Sequence, residues 1–392
     1  MNVDAPTRAG PLTHPATYFV GAWAFCTLLL SMNVIPQLSL YTGSAFEVTA
    51  MLMAAHLGGV GMAMLAARHD DEQRTPTNAI EYRFLYRKAL LGVWVAVTLV
   101  EIAVSGGLPI LWVIIGNGRT YEDFGIPSVH GLSNAIYLFL TFSSFIRLLS
   151  NRNRIAMFEF LLLLSWSIIV VSRALMAIAI LQAAVFFLLT SKFSLKTKFG
   201  AIMAGVVVFV AAFGYLGDIR AEEFSILVST GLSDLDPRFS GLVWAYAYLT
   251  SPIANLALNV SVNTAELKIV PVTFLLPLLP SFIQRALGYE VGFLGFSGYL
   301  AHDAFNVGTA FIQIFIDWGV IGIVLYASLL GVFGHVVWRG FVKTGRADII
   351  SLFIPCIVLT IFSNQFNQLP IILLFILFLS FTRVSPKQRG II

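Results

Sequence analysis

Blocks of apolar residues, each roughly 17 to 22 long, follow one another along nearly the whole 392-residue chain. That is the length of α-helix that crosses about 30 Å of hydrocarbon at about 1.5 Å per residue. The blocks fall at about Thr17–Val34, Phe46–Ala67, Lys88–Ser105, Leu132–Leu149, Ile155–Ser172, Ala174–Thr190, Phe199–Leu216, Trp318–Trp338, Ile349–Ser363 and Leu369–Phe381. The fifth and sixth are separated by almost nothing, so nine spans are the alternative to ten.

A soluble domain could not hide this much apolar surface. Apolar residues make up 58% of the chain and charged residues 11%, against about 45–50% and about 25% in soluble domains. The blocks lack the two-residue alternation of a transmembrane β-barrel. The expected fold is therefore an all-α polytopic membrane protein of about ten transmembrane helices. Met1 to His14 carries Arg8 but no signal peptide with a cleavage site, so the first block reads as a retained signal anchor. Cys26 and Cys356 lie inside apolar blocks and read as small core residues, supporting neither a disulfide framework nor a metal site.

Sorting lysines and arginines onto the two faces of this layout gives orientation. Eighteen of the 24 fall on the side that holds both termini, and Arg119, Arg173, Arg220, Arg238, Lys268 and Arg285 fall on the other. The positive-inside rule then predicts cytoplasmic termini. It divides the chain into an N-terminal transmembrane bundle (1–216), a large extracytoplasmic loop with interfacial helices (217–317) and C-terminal transmembrane helices (318–392). The short basic connections, such as Arg152-Asn153-Arg154, fit topology signals and anionic headgroups. No phosphate-binding motif is present, which argues against an ATP-driven pump, and the net charge of +4 gives no reason to invoke nucleic acid.

The extracytoplasmic side holds the candidate chemistry. Arginine is costly near hydrocarbon and is retained there for pairing or for binding an anion, whose oxygens its planar fork grips at any working pH. Arg173 lies between two apolar blocks in IIVVSRALMAIAI; a snorkelling helix-end arginine is the plainer alternative. Arg220 and Arg238 share an acidic neighbourhood with Asp218, Glu222, Glu223, Asp234 and Asp236, so surface ion pairs compete with anion binding. His130 ends the GIPSVH turn, and His302-Asp303 lies in GYLAHDAFNVGT; these are candidate proton acceptors. Asp317 reads as a helix cap before Trp318, and Glu101 as either paired inside the bundle or functional. Trp244, Tyr246, Tyr248, Tyr289 and Tyr299 offer ring faces for sugars, or form an interfacial aromatic belt. The WAYAYLTSPIANLAL segment from Trp244 is expected to be an interfacial helix broken at Pro252.

The SRALMAIA, GLVWAYAYLTSPIANL and FNVGTAFIQIFIDWGVIGIVLYASLLG segments, with the GIPSVHGL turn, resemble the Wzy-type O-antigen polymerases, which join oligosaccharide repeat units in bacterial envelopes. Arg220 and Gly231 also match the spacing of an arginine–glycine motif found in some of them. The resemblance implies a GT-C-like, metal-independent membrane glycosyltransferase of the bacterial inner membrane, acting on its periplasmic face and needing no cofactor. Donor and acceptor would both be undecaprenyl-diphosphate-linked oligosaccharides, with membrane lipid around them and a chain-length regulator and a flippase as companions. Arg173, Arg220, Arg238 and Arg285 would stabilise the departing diphosphate. His302, Asp303 or Glu222 would act as base or orient the acceptor, and His130, Trp244, Tyr248, Asn255, Tyr299 and Asn306 would bind substrate. An O-antigen ligase, a lipid-linked glycan transporter or flippase, and a structural subunit of an envelope assembly remain alternatives; product analysis separates polymerase from ligase.

Overall fold

The computed structural model describes residues 2–3, 13–67, 80–116, 118–151, 154–191, 193–220, 226–289, 299–302 and 305–386. The chain is almost wholly helical. Its helices are α1 (Pro15–Ser31), α2 (Pro36–Ser39), α3 (Thr42–Ala66), α4 (Arg87–Ser105), α5 (Pro109–Ile115), α6 (Val129–Asn151), α7 (Arg154–Ile169), α8 (Arg173–Thr190), α9 (Leu195–Arg220), α10 (Ile226–Ser229), α11 (Ser240–Val262), α12 (Val272–Leu275), α13 (Ser281–Ala286), α14 (Ile312–Thr344), α15 (Ala347–Val358) and α16 (Leu369–Phe381). A helix lies over each of the ten apolar blocks. Among the described residues five helical stretches are long and apolar enough to cross a membrane: Thr42–Ala66, Arg87–Ile115, Val129–Ser150, Arg173–Thr190 and Ile312–Thr344.

Local chemistry sets the ends of these helices. Proline opens α1, α2 and α5, where its missing N–H costs nothing. Glycines in the left-handed conformation close α4, α5 and α14. The fifth and sixth blocks are two separate helices, α7 and α8. The chain reverses between them at Val171, with φ of 54°, and the Ser172 hydroxyl accepts from Leu175 N.

The helices bury two cores that meet on α15. One gathers α6, α8 and α16; the other gathers α1, α3, α11 and α14. Ile350, Ile354 and Cys356 of α15 face the first, and Phe353 and Ile357 face the second. The α3–α14 seam is the tightest contact. A Cβ on Gly59 would stand 2.0 Å from Ser328 O, and one on Gly331 2.1 Å from His56 O. Small residues let the two backbones touch, the usual device where apolar burial cannot drive helices together. At one end of the bundle three chain segments form an antiparallel sheet in the order β1 (Asn2–Val3), β2 (Ile80–Phe84), β3 (Thr382–Pro386). Arg83 is opposite Arg383, and Tyr82 opposite Val384.

Three findings bear on the expectations for residues 217–317. First, α11 does not lie apart as an interfacial helix. It packs against α1, α3 and α9 and buries Val243, Ala247, Ile253, Ala254, Leu256 and Ala257. Pro252 removes one intrahelical hydrogen bond, but the packed neighbours carry the helix through it. Second, the span expected from Trp318 begins at a sharp fold, and the apolar stretch ahead of it packs inside the bundle. Gly319 adopts φ 62° and ψ −153°, a conformation open essentially to glycine alone, and the chain folds back on itself there. Phe311 then lies 5.6 Å from the Tyr326 ring, and a Cβ on Gly322 would stand 2.7 Å from Ile314 O. Residues 305–318 thus form a re-entrant limb inside the bundle, where Phe311 packs on Trp23 at 5.5 Å and Ala310 N donates to Thr360 O at 2.7 Å.

Third, Asp317 does not cap the helix that follows it but reaches the first turn of α12. Its buried carboxylate accepts from Phe274 N at 2.8 Å and pairs with Lys268 Nζ at 3.3 Å, because the Gly319 fold turns it toward the preceding connection.

Irregular backbone buried inside the bundle is cut off from water, so side chains must satisfy it. Asn255 Nδ2 donates to Phe305 O and Val307 O, both at 2.9 Å, while its Oδ1 accepts from Ala301 N at 2.8 Å. Asn259 brackets Tyr299, accepting from its N and donating to its O.

Candidate functional site

The end of the bundle away from the sheet carries most of the candidate residues. Arg173 is the first residue of α8, where the helix dipole disfavours a cation. Aromatic rings offset this. The guanidinium carbon lies 5.4 Å from the Trp244 ring centroid and 5.3 Å from that of Tyr248, within the range of cation–π attraction. Trp244 and Tyr248 are one helical turn apart on α11, so their rings project in one direction. Arg173 is only 8% exposed. Gly217 leaves room for Trp244, since a Cβ there would stand 2.7 Å from Trp244 Nε1. The C-terminal end of α9 therefore reaches the same place. Arg220 ends that helix, and its side chain lies outside the described residues.

A second group surrounds His130. Its Nδ1 lies 3.1 Å from the buried Glu101 Oε1, which also accepts from Ile126 N. The GIPSVH turn is thereby tied to the end of α4, and Gly125 N adds a hydrogen bond to Ser105 Oγ. Gly125 has φ of 96°, and a Cβ there would stand 2.5 Å from the His130 ring. Arg119 donates to Ser105 O at 2.7 Å and stacks over Trp112 at 4.2 Å. The two groups share a wall: α5 supplies Trp112 to Arg119, and Ile110 and Val113 to Val171 beside Arg173. Ser128 Oγ meets Ser281 Oγ of α13 at 2.9 Å, and Gly131 lies against Pro370 at the start of α16.

The other candidates are more scattered. Arg238 is 90% exposed on the 237–239 turn and, among the described residues, reaches Asp236 at 3.9 Å; Arg285 is exposed on α13. His302 is half-buried, with its ring 5.2 Å from Phe305 at the start of the re-entrant limb. Asn306 is exposed there. The Tyr299 ring is exposed while its backbone is held by Asn259. The Asn255 amide is taken up in holding the limb. Asp303 and Glu222 lie outside the described residues.

Sequence reasoning missed an amide-rich patch. Asn364, Gln365 and Asn367 are buried in the break between α15 and α16, and Asn367 Nδ2 donates to Phe274 O at 2.8 Å and Gln313 Oε1 at 3.1 Å. The SNQFNQ run between two apolar blocks was the available signal. Glu101, left open by the sequence, is paired with His130.

Chemically, this end presents an always-charged guanidinium against aromatic faces, beside an imidazole–carboxylate pair. Among the described residues no three His, Cys, Asp or Glu side chains converge as a metal site. Comparison of the chain with protein families, with curated proteins and with solved structures gave no match.

Proposed function

We propose that the protein is a periplasmic-face glycosyltransferase of the bacterial inner membrane, with both termini cytoplasmic, that polymerises undecaprenyl-diphosphate-linked repeat units. The observation that carries this is Arg173 held between α8 and the Trp244–Tyr248 pair. A cation beside ring faces suits a substrate that is half diphosphate and half sugar. In the reaction the acceptor's sugar hydroxyl oxygen bonds to the donor's anomeric carbon. The bond from that carbon to the diphosphate oxygen breaks, its electron pair leaves with the diphosphate, and the hydroxyl proton passes to a base. Arg173, with Arg220, Arg238 and Arg285 around the same face, would stabilise the charge gathering on the leaving group. His302, Asp303 or Glu222 would take the proton or orient the acceptor. The exposed Ile269, Phe282 and Leu287 around α12 and α13 would rest in the outer leaflet beside the lipid-linked substrates.

The test is elongation by purified protein supplied with lipid-linked repeat units. Wild type should lengthen the glycan on undecaprenyl diphosphate, and Arg173→Ala should not. An Arg173→Ala variant that polymerises at the wild-type rate would remove Arg173 from the reaction.

One observation favours a second reading, a lipid-linked glycan transporter. The re-entrant limb and the break after α15 are interrupted helices of the kind that hold substrates in transporters. Movement of lipid-linked glycan across vesicles without elongation would select it.

A further inference from the structure

We propose that the break between α15 and α16, together with the re-entrant limb, forms a binding subsite for a neutral sugar ring. Helix α15 stops at Val358, passes through a tight turn at Leu359–Ile361, and α16 starts only at Leu369. The intervening residues meet two other parts of the chain: Phe274 before α13, and the two limbs of the Gly319 fold through Gln313 and Tyr326.

The unused hydrogen-bonding capacity of this patch identifies its ligand. Asn364 Oδ1 accepts from Phe366 N at 3.1 Å and from the Tyr326 hydroxyl at 2.6 Å. A backbone N–H can only donate, so it fixes which way the amide faces. Among the described residues Nδ2 of Asn364 then has no partner, on a residue 4% exposed. Gln365 spends one end of its amide on Ser363 Oγ at 2.6 Å and keeps the other unmatched, at 3% exposed. Buried amides left unmatched are costly and rarely kept without use.

Charge and shape narrow the choice. A metal cation would call for acceptors alone, and a phosphate for donors with positive charge. Here an amide donor lies beside a second amide, and a hydroxyl both donates and accepts. The side chains of the patch itself, Asn364, Gln365, Asn367 and Gln313, carry no charge, and Lys268 beyond Phe274 is paired with Glu266 and Asp317. Phe274 packs edge-on against Tyr326 at 4.9 Å, so the wall beside the amides is aromatic, as in sites that bind neutral ligands. Assigning this sugar to the acceptor repeat unit rests on the proposed glycosyl transfer; the sugar subsite itself does not.

The probe is a panel of glucose, galactose, rhamnose and N-acetylglucosamine, read by saturation-transfer NMR on the full-length protein in lipid nanodiscs. At least one sugar should give a signal that falls fivefold or more in Gln365→Met and in Gln313→Met, with thermal unfolding of Gln365→Met at or above that of wild type. A merely structural glutamine would instead lower the unfolding temperature. No signal from any of the four sugars, or signals unchanged in both variants, overturns the subsite. The elongation assay separates the two proposals. Glutamine-dependent sugar signals in a protein that elongates nothing leave the subsite standing without the polymerase. Elongation with the acceptor KM unchanged in Gln365→Met does the reverse.

Discussion

The α3–α14 seam and the re-entrant limb lie on the same helix, yet they solve the backbone's needs in opposite ways. Along the seam every peptide group is satisfied within its own helix, so small residues suffice and the chains close until Gly59 and Gly331 touch the opposite backbone. Ahead of α14, around Tyr299–Ala301 and Phe305–Val307, the chain is not helical, and the Asn255 and Asn259 amides take over what a ladder of i to i−4 bonds would have done. Polar side chains therefore cluster where helices stop. That is where a ligand with hydroxyl groups finds partners.

The sharpest way to break this contrast is Asn255→Leu. It strands Phe305 O, Val307 O and Ala301 N, and at about 1 kcal/mol or more for each buried group the loss should reach about 3 kcal/mol, read by thermal unfolding in lipid. A variant that melts with wild type would mean the limb does not depend on Asn255. Next comes Gly331→Ala. Its new Cβ would meet His56 O, and overpacking of this kind costs about 1–3 kcal/mol. Unchanged unfolding would show that the seam has slack.

Arg173→Lys probes the functional end. A lysine keeps the charge but loses the planar stacking on Trp244 and Tyr248. Loss of about 1.4 kcal/mol of positioning would lower elongation roughly tenfold, with the unfolding temperature little changed. Full activity in Arg173→Lys would leave charge alone as the requirement.

The smallest effect is on pH. Lys268 titrates above the ordinary lysine range, chiefly through its hydrogen bond to Glu266 and then that to Asp317. A raised value means its contribution is complete below the ordinary lysine pKa and disappears as pH climbs through the raised one. Stability should sag only in that alkaline window, and less so in Asp317→Asn, which keeps an acceptor for Phe274 N. An equal sag in both would exclude this pair as its source.

How far these features could be read from the chain depends on whether they were local. Apolar blocks bounded by Pro15, Pro109, Gly106 and Gly345 are local, and the helices follow them. The span expected from Trp318 starts beside the fold at Gly319, but FIQIFIDWGVIGIVLYASLLG is apolar on both sides of it, so hydropathy does not show that the chain turns back there and packs residues 305–318 inside the bundle. Pro252 misled in the other direction, since packing against α1, α3 and α9 outweighed one lost hydrogen bond. At the site, the residue types were visible but their meetings were not. Nothing in the spacing of Arg173, Trp244 and Tyr248 shows that α8 and α11 bring them together. His130 and Glu101 are joined only because the GIPSVH turn folds back on the end of α4.

The small sheet has a consequence for how the protein is made. Strand β2 leaves the ribosome well before its partner β3, so Arg83 waits for Arg383 until the helices from α4 to α16 have been synthesised. The pairing can close only when α16 has found its place. Until it closes, the edge of β2 that β3 covers is open.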